Sequence, residues 1–142
     1  MSTAGYSGTP LPRKLGIKGG HKVALFAPPD SFLDTLGEVP HGVSVVRNPR
    51  NVLTRDVLIA FARTEKELVS RFDRAHQRLD PFGGLWLAWP KQSSPLATYL
   101  KDSHVRRYGL STGLVDNKVC AIDADWSGLR FVVRVENRPK RR

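Results

Sequence analysis

The run Leu85-Trp86-Leu87-Ala88-Trp89 is apolar at every position. Successive side chains of a strand point to opposite faces, so a strand with no polar face must be covered on both sides. That is the habit of a central strand in a parallel sheet flanked by helices. The rest of the chain alternates in the same sense. Lys22-Val23-Ala24-Leu25-Phe26 reads as a short buried strand, Val43 to Val46 as a β-branched second strand after Gly42, and Val57 to Phe61 as a third. Between the first two, Asp30 or Ser31 can cap a short helix over Phe32, Leu33 and Leu36 that Gly37 ends.

The clearest helix follows the third strand. Thr64 with Glu67 three residues on is a capping-box pattern. Leu68, Phe72, Ala75 and Leu79 then fall on one face. Arg71, Arg74 and Arg78 share a flank of that face, and Glu67 stands four residues before Arg71, so the basic stripe reads as a solvated helix surface. Asp80 to Gly84 reads as a turn before the apolar fourth strand, and Pro90 to Pro95 as a loop. A last helix starts near Asp102, buries Val105, Tyr108 and Thr112 and ends at Gly113, with Gly109 as a weak point inside it. Val115 to Ile122 and Leu129 to Val135, joined by an Asp/Ser/Gly turn, form a hairpin.

Strand-helix alternation ending in a hairpin predicts a three-layer α/β domain. Its open sheet is mostly parallel with an antiparallel edge, and right-handed crossovers predict the strand order 2-1-3-4-6-5. The 142 residues suit one domain, placed at 21–135 between a polar basic arm at 1–20 and a basic tail at 136–142. A single helical turn is expected near Pro12 to Leu15 within the arm.

Charge and cysteine usage narrow the classes. The net charge is +10, concentrated at the ends. Arg13, Lys14, Lys18 and Lys22 stand without an acid in residues 1–22, and five cations stand against Glu136 in residues 134–142. The tail lacks aromatic side chains for stacking on bases, so it reads as solvated, with weak nucleic-acid binding as the alternative. No apolar run approaches the roughly 20 residues needed to span a bilayer. Met1 to Pro12 has no apolar signal-peptide core, and Cys120 is the only cysteine. These features predict a cytoplasmic protein without membrane contact, disulfide or cysteine-based zinc site.

Four stretches carry a resemblance. They are Thr9 to Lys18, Gly84 to Lys91, Gly113 to Asp123, and Trp126-Ser127-Gly128-Leu129-Arg130-Phe131-Val132-Val133-Arg134. Together they resemble the bacterial domain-of-unknown-function family 3052 over nearly the whole chain. Leu79 to Leu87 and the terminal hairpin also resemble the late sheet of class I S-adenosylmethionine methyltransferases. The resemblance implies the fold, as a truncated methyltransferase-like Rossmann scaffold, and no activity. Those enzymes hold their cofactor with a glycine-rich turn after the first strand and a carboxylate at the end of the second. Here the two positions read Ala27-Pro28-Pro29-Asp30 and Arg47-Asn48-Pro49-Arg50. The first has two residues without an N–H group, and the second is basic. The cofactor site therefore reads as degenerate, and no cofactor is expected.

No catalytic constellation emerges from the other residues. Cys120 sits mid-strand as a small buried residue, and the four histidines have no metal-ligand spacing. Asp123, Asp125 and Gly128 start like a calcium loop, but Arg134 stands where its bidentate glutamate belongs. Trp126, in the hairpin turn, either folds onto the sheet or anchors a partner. Open α/β sheets bind ligands beyond the carboxyl ends of their strands, at the switch point. Asp30, Arg63, Thr64 and Lys91 fall there, with Thr64 opening a helix whose N-terminus attracts anions. They are the candidate ligand residues, although Arg63 and Lys91 also have Asp30 and Glu65 available as ion-pair partners. Three readings follow. The first is a non-catalytic binding or interaction module for a protein partner or small anionic ligand. The second is an enzyme acting on a small anionic substrate, with S-adenosylmethionine in an altered mode. The third is an accessory nucleic-acid binder using the basic termini.

Overall fold

A computed structural model of the protein describes residues 8–140. The elements run α1 (Leu11–Lys14), β1 (Lys22–Phe26), α2 (Phe32–Leu36), β2 (Ser44–Arg47), β3 (Arg55–Phe61), α3 (Glu65–His76), β4 (Leu79–Pro90), α4 (Asp102–Ser111), β5 (Val115–Ala121) and β6 (Trp126–Val132). The sheet order is β2-β1-β3-β4-β6-β5, as expected. β2, β1, β3 and β4 are parallel, and β6 pairs antiparallel with β4 and β5.

Strand alternation divides the core into two layers. Ala24, Phe26, Leu58, Ala60, Leu85, Leu87 and Phe131 face Leu68, Phe72 and Ala75 of α3 and Val105 of α4. Val23, Leu25, Val57, Ile59, Phe61, Trp86 and Ala88 face Phe32 and Leu36 of α2 and the α1 segment. The apolar fourth strand thus has both faces covered, which is why it lacks a polar side.

Three expectations are corrected. The first concerns residues 8–20, which do not behave as a polar arm. Leu15 is fully buried, Leu11 and Ile17 are buried beside it, and the Trp86 indole Nε1 donates to the Leu15 carbonyl at 3.0 Å. Three apolar side chains in seven residues outweigh the surrounding lysines, so this segment closes one side of the sheet. The rest of the expected arm, residues 1–7, and tail residues Arg141 and Arg142 lie outside the described residues.

The second correction is at Asp80–Gly84, which belongs to β4. Arg55 pairs with Leu79 and Val57 with Gly84, so Asp80–Gly83 bulge opposite the single residue Asp56. The bulge needs Gly83, where a Cβ would run into backbone. A Cβ on Gly83 would meet the Asp56 carbonyl oxygen, and one on Gly84 the Arg130 guanidinium.

The third correction is the arginine stripe. Arg78 lies past the end of α3 and is only 5% exposed. It donates to the carbonyls of Asn51, Arg74 and Arg50 at 2.6, 2.6 and 3.2 Å. Arg74 and Arg78 both lie over the Phe26 ring. Arg71 donates to the Phe61 carbonyl at 2.9 Å and pairs with Glu67 at 3.3 Å. Only Arg78 departs from the solvated face: it straps Arg50 and Asn51 to the end of α3, while Arg74 is exposed and Arg71 is half-buried in its pair with Glu67. Gly109 has a positive role too, because a Cβ there would meet the Phe131 ring.

Candidate functional site

The switch point of the sheet lies between β1 and β3, since the chain leaves β1 for α2 on one face and β3 for α3 on the other. Ala27, the first residue past β1, has φ +53°, and Asn48, the first past β2, has φ +47°. A Cβ makes this left-handed conformation unfavourable, although asparagine adopts it more readily than most residues. The two turns hold each other. The Ala27 N–H donates to Asn48 Oδ1 at 2.9 Å, and the Asn48 N–H donates to the Leu25 carbonyl at 2.7 Å. Pro28 and Pro29 follow and contribute no N–H.

Aromatic rings occupy the α2 side of this end. Phe32 opens α2, Phe61 closes β3, and Trp126 opens β6 opposite Pro90, the last residue of β4. Phe61 packs edge-on to Phe32 at 5.0 Å between centroids and to Trp126 at 5.1 Å. Trp126 is 7% exposed, so of its two readings the structure shows the one in which it folds onto the sheet. Asp123 makes this possible, because its Oδ1 accepts from the N–H groups of Asp125 and Trp126 and curls the hairpin turn inward.

The α3 N-terminus carries its own caps. Thr64 Oγ1 accepts from the Glu67 N–H at 3.1 Å, and Glu67 Oε1 accepts from the Arg63 N–H at 2.9 Å. The Glu65 N–H donates to the Tyr99 hydroxyl at 2.8 Å. Glu65 and Glu67 also answer the helix dipole there. The loop after β4 lies across this start. Thr98 Oγ1 donates to the Arg63 carbonyl at 2.7 Å, and Arg63 Nη2 donates to the Leu96 carbonyl at 3.3 Å. The other side of the loop is fastened by Ser94 Oγ to Asp125 Oδ1 at 2.7 Å.

The four candidate ligand residues are thus differently engaged. Thr64 is a helix cap, the Arg63 guanidinium is turned to the Leu96 carbonyl, and Asp30 is exposed. Lys91 lines a separate groove of about 330 Å³ with Trp89, Gln92, Lys101, Asp102 and Arg106. Neither Arg63 nor Lys91 forms an ion pair among the described residues. The expected pairing with Asp30 and Glu65 is therefore not what holds them.

The described residues contain no group of three or more His, Cys, Asp or Glu side chains placed to hold a metal ion. No described helix is long and apolar enough to cross a membrane. Cys120 is buried, and burial pushes its thiol pKa up, against the opposing pull of Lys14 and Lys118, so the nucleophilic thiolate is disfavoured.

Solved structures share this architecture. A TehB-like SAM-dependent methyltransferase from Corynebacterium glutamicum superposes with a TM-score of 0.59 at 9% identity, over 92% of this chain and 91% of that one. A SAM-dependent methyltransferase from Aquifex aeolicus gives 0.55 at 14% identity, over 86% and 87%. The fold is that of the class I SAM methyltransferases. At such identities the likeness is one of fold alone. Coverage varies: this chain spans only 65% of an exported-protein candidate from Bordetella parapertussis, with a TM-score of 0.58 at 10% identity over 88% of this chain. No family model and no curated protein matches the sequence.

On this methyltransferase-like scaffold the carboxyl end of the sheet is shaped by residues outside the four ligand candidates. The roles of Asn48, Thr98 and Tyr99 are decided by the tertiary structure. The Asn48-Pro49 pair was a turn signal, and a turn asparagine readily takes a left-handed conformation. Thr98 and Tyr99 lie more than thirty residues from their partners, and no local pattern marks them.

Proposed function

We propose that this protein is a non-catalytic binding or interaction module of the family-3052 type, on a methyltransferase-like scaffold whose cofactor end has closed upon itself. The observation that carries the reading is the bond from the Ala27 N–H to Asn48 Oδ1. A nucleotide-type cofactor needs free backbone N–H groups and close backbone approach at the first turn. Here the Ala27 donor is engaged internally, the next two residues have no donor, and the Ala27 side chain stands where glycine would leave space. At the end of β2 a neutral Asn48 facing the protein replaces a ribose-binding carboxylate, with Arg47 and Arg50 beside it. The Phe32–Phe61–Trp126 stack and the capped start of α3 support the same reading. The residues at this end do not fit S-adenosylmethionine in the methyltransferase mode.

Titration calorimetry of the full chain with S-adenosylmethionine and with S-adenosylhomocysteine tests the proposal. The expected result is no saturable heat up to millimolar ligand. A micromolar Kd for either compound would overturn it.

A further inference from the structure

The opposite end of the sheet, where the parallel strands begin, holds a larger opening. Its volume is about 710 Å³, within the range of small-molecule sites. Lys14, Lys18, Lys118 and Arg130 line it, against the carboxylates Asp56 and Asp80. Both carboxylates are turned to backbone. Asp56 Oδ2 accepts from the Lys22 N–H at 2.8 Å, and Asp80 Oδ1 accepts from the Phe82 N–H at 2.8 Å. None of the ion pairs among the described residues involves these six side chains.

Among the described residues no carboxylate stands within ion-pair distance of these cations. Arg130 and Lys118 are direct cross-strand partners in the β5–β6 hairpin. Like charges in such positions are unfavourable unless something between them is negative. The Arg130 guanidinium fills the space left by the absent side chain of Gly84, and its one hydrogen bond among the described residues is a long 3.4 Å contact from Nη1 to Asn117 Oδ1. Burial, and after it the charge of Arg138, lowers its pKa, as expected for a cation without a counter-ion. Lys118 Nζ reaches the Lys14 carbonyl at 3.0 Å and Lys14 Nζ the Ala121 carbonyl at 2.7 Å, so each ammonium is tied to a backbone carbonyl. The His21 ring, which also lines the cavity, accepts the Lys18 N–H on Nδ1 at 3.1 Å.

We propose that this cavity binds a small, multiply charged anion of the phosphate-ester or pyrophosphate class, with Arg130 and Lys118 as the principal contacts and Lys14 and Lys18 at its rim. A guanidinium presents a planar fork of donors and the lysines present point charges, a combination that suits phosphate oxygens. The site lies at the opposite end of the sheet from the methyltransferase cofactor position and uses none of its residues.

Inorganic pyrophosphate, added to the full chain at constant ionic strength, is the probe. Thermal denaturation should show a saturable rise in Tm, because a ligand of the folded state stabilises it. Calorimetry should give one site. Arg130→Gln should weaken binding by about tenfold or more, the usual effect of losing a charge-assisted hydrogen bond. Lys118→Gln should weaken it by about three- to tenfold on the same grounds. Lys66→Gln, exposed on α3 and outside the cavity lining, should leave it unchanged. Lys118 is exposed, so its variant decides the matter if Arg130→Gln does not fold. A wild-type protein with no saturable response, or a response retained in both cavity variants, overturns the proposal. Binding of S-adenosylmethionine would overturn the closed-end reading and leave this one standing, so the two fail separately.

Discussion

Ala27 and Asn48 are joined across the carboxyl end of the sheet by a 2.9 Å hydrogen bond, and both hold left-handed backbone to make it. The bond ties the turn after β1 to the turn after β2. Asn48→Ala should lower the unfolding free energy by about 1–2 kcal/mol, from the lost bond and a Cβ less tolerant of positive φ. Ala27→Gly should raise it by about 0.5 kcal/mol, because relief of the left-handed strain slightly exceeds the added freedom of the unfolded chain. Urea titrations of both variants measure this. A neutral Asn48→Ala would mean the two turns are held by something else.

Gly109 sets helix propensity against packing. In an open helix, Gly→Ala stabilises by up to about 1 kcal/mol. Here the new Cβ meets the Phe131 ring inside the core. Gly109→Ala should therefore destabilise by about 1–3 kcal/mol, the usual cost of overpacking. Combining it with Phe131→Leu should cost less than the sum of the two single changes. Strict additivity in chemical denaturation would contradict the contact.

Arg78 holds three carbonyls from two segments. Arg78→Met keeps much of the apolar stem but leaves three carbonyls without their donor. A loss of about 2–4 kcal/mol is expected. Arg78→Lys should recover little, since an ammonium cannot span the same fork. Hydrogen exchange should show the 48–55 segment opening first in the methionine variant, and unchanged protection there would count against the strap.

Tyr108 donates to Asp73 Oδ1 at 2.5 Å and links α4 to α3. Burial, aided by that bond and the Asp73 charge, raises its hydroxyl pKa from 10.0 to about 12. The unfolded chain loses this proton near pH 10, while the folded chain keeps it up to about 12. Between those values the unfolded state binds fewer protons, so this contribution to stability falls as pH rises. It is complete below pH 10. Tyr108→Phe should remove about 1–2 kcal/mol at neutral pH and flatten the alkaline decline. Stability curves for the two proteins that stay parallel from pH 9 to 12 would refute the assignment.

The sequence by itself determined the strand order, the capped start of α3 at Thr64 and the antiparallel edge. Each rests on local chemistry: side-chain alternation, a capping residue three before its partner, and the handedness of short crossovers. Composition obscured residues 8–20, because lysines and glycines surround the three apolar side chains that dock. The tertiary structure alone decided what the two ends of the sheet became. Asn48 meets Ala27 across 21 residues, Tyr99 meets Glu65 across 34, and Lys118 meets Lys14 across 104. Such contacts leave no periodic trace in the chain, because they depend on which strand ends the sheet sets side by side. The expected site at Asp30, Arg63, Thr64 and Lys91 was placed by a rule about open sheets. The rule locates the crevice but not the direction of its side chains, and here the loop after β4 engages Arg63 while the first turn of α3 engages Thr64. The basic cavity arises at the opposite end because a β-bulge and Gly84 open space for Arg130, a packing event that only the paired strands create.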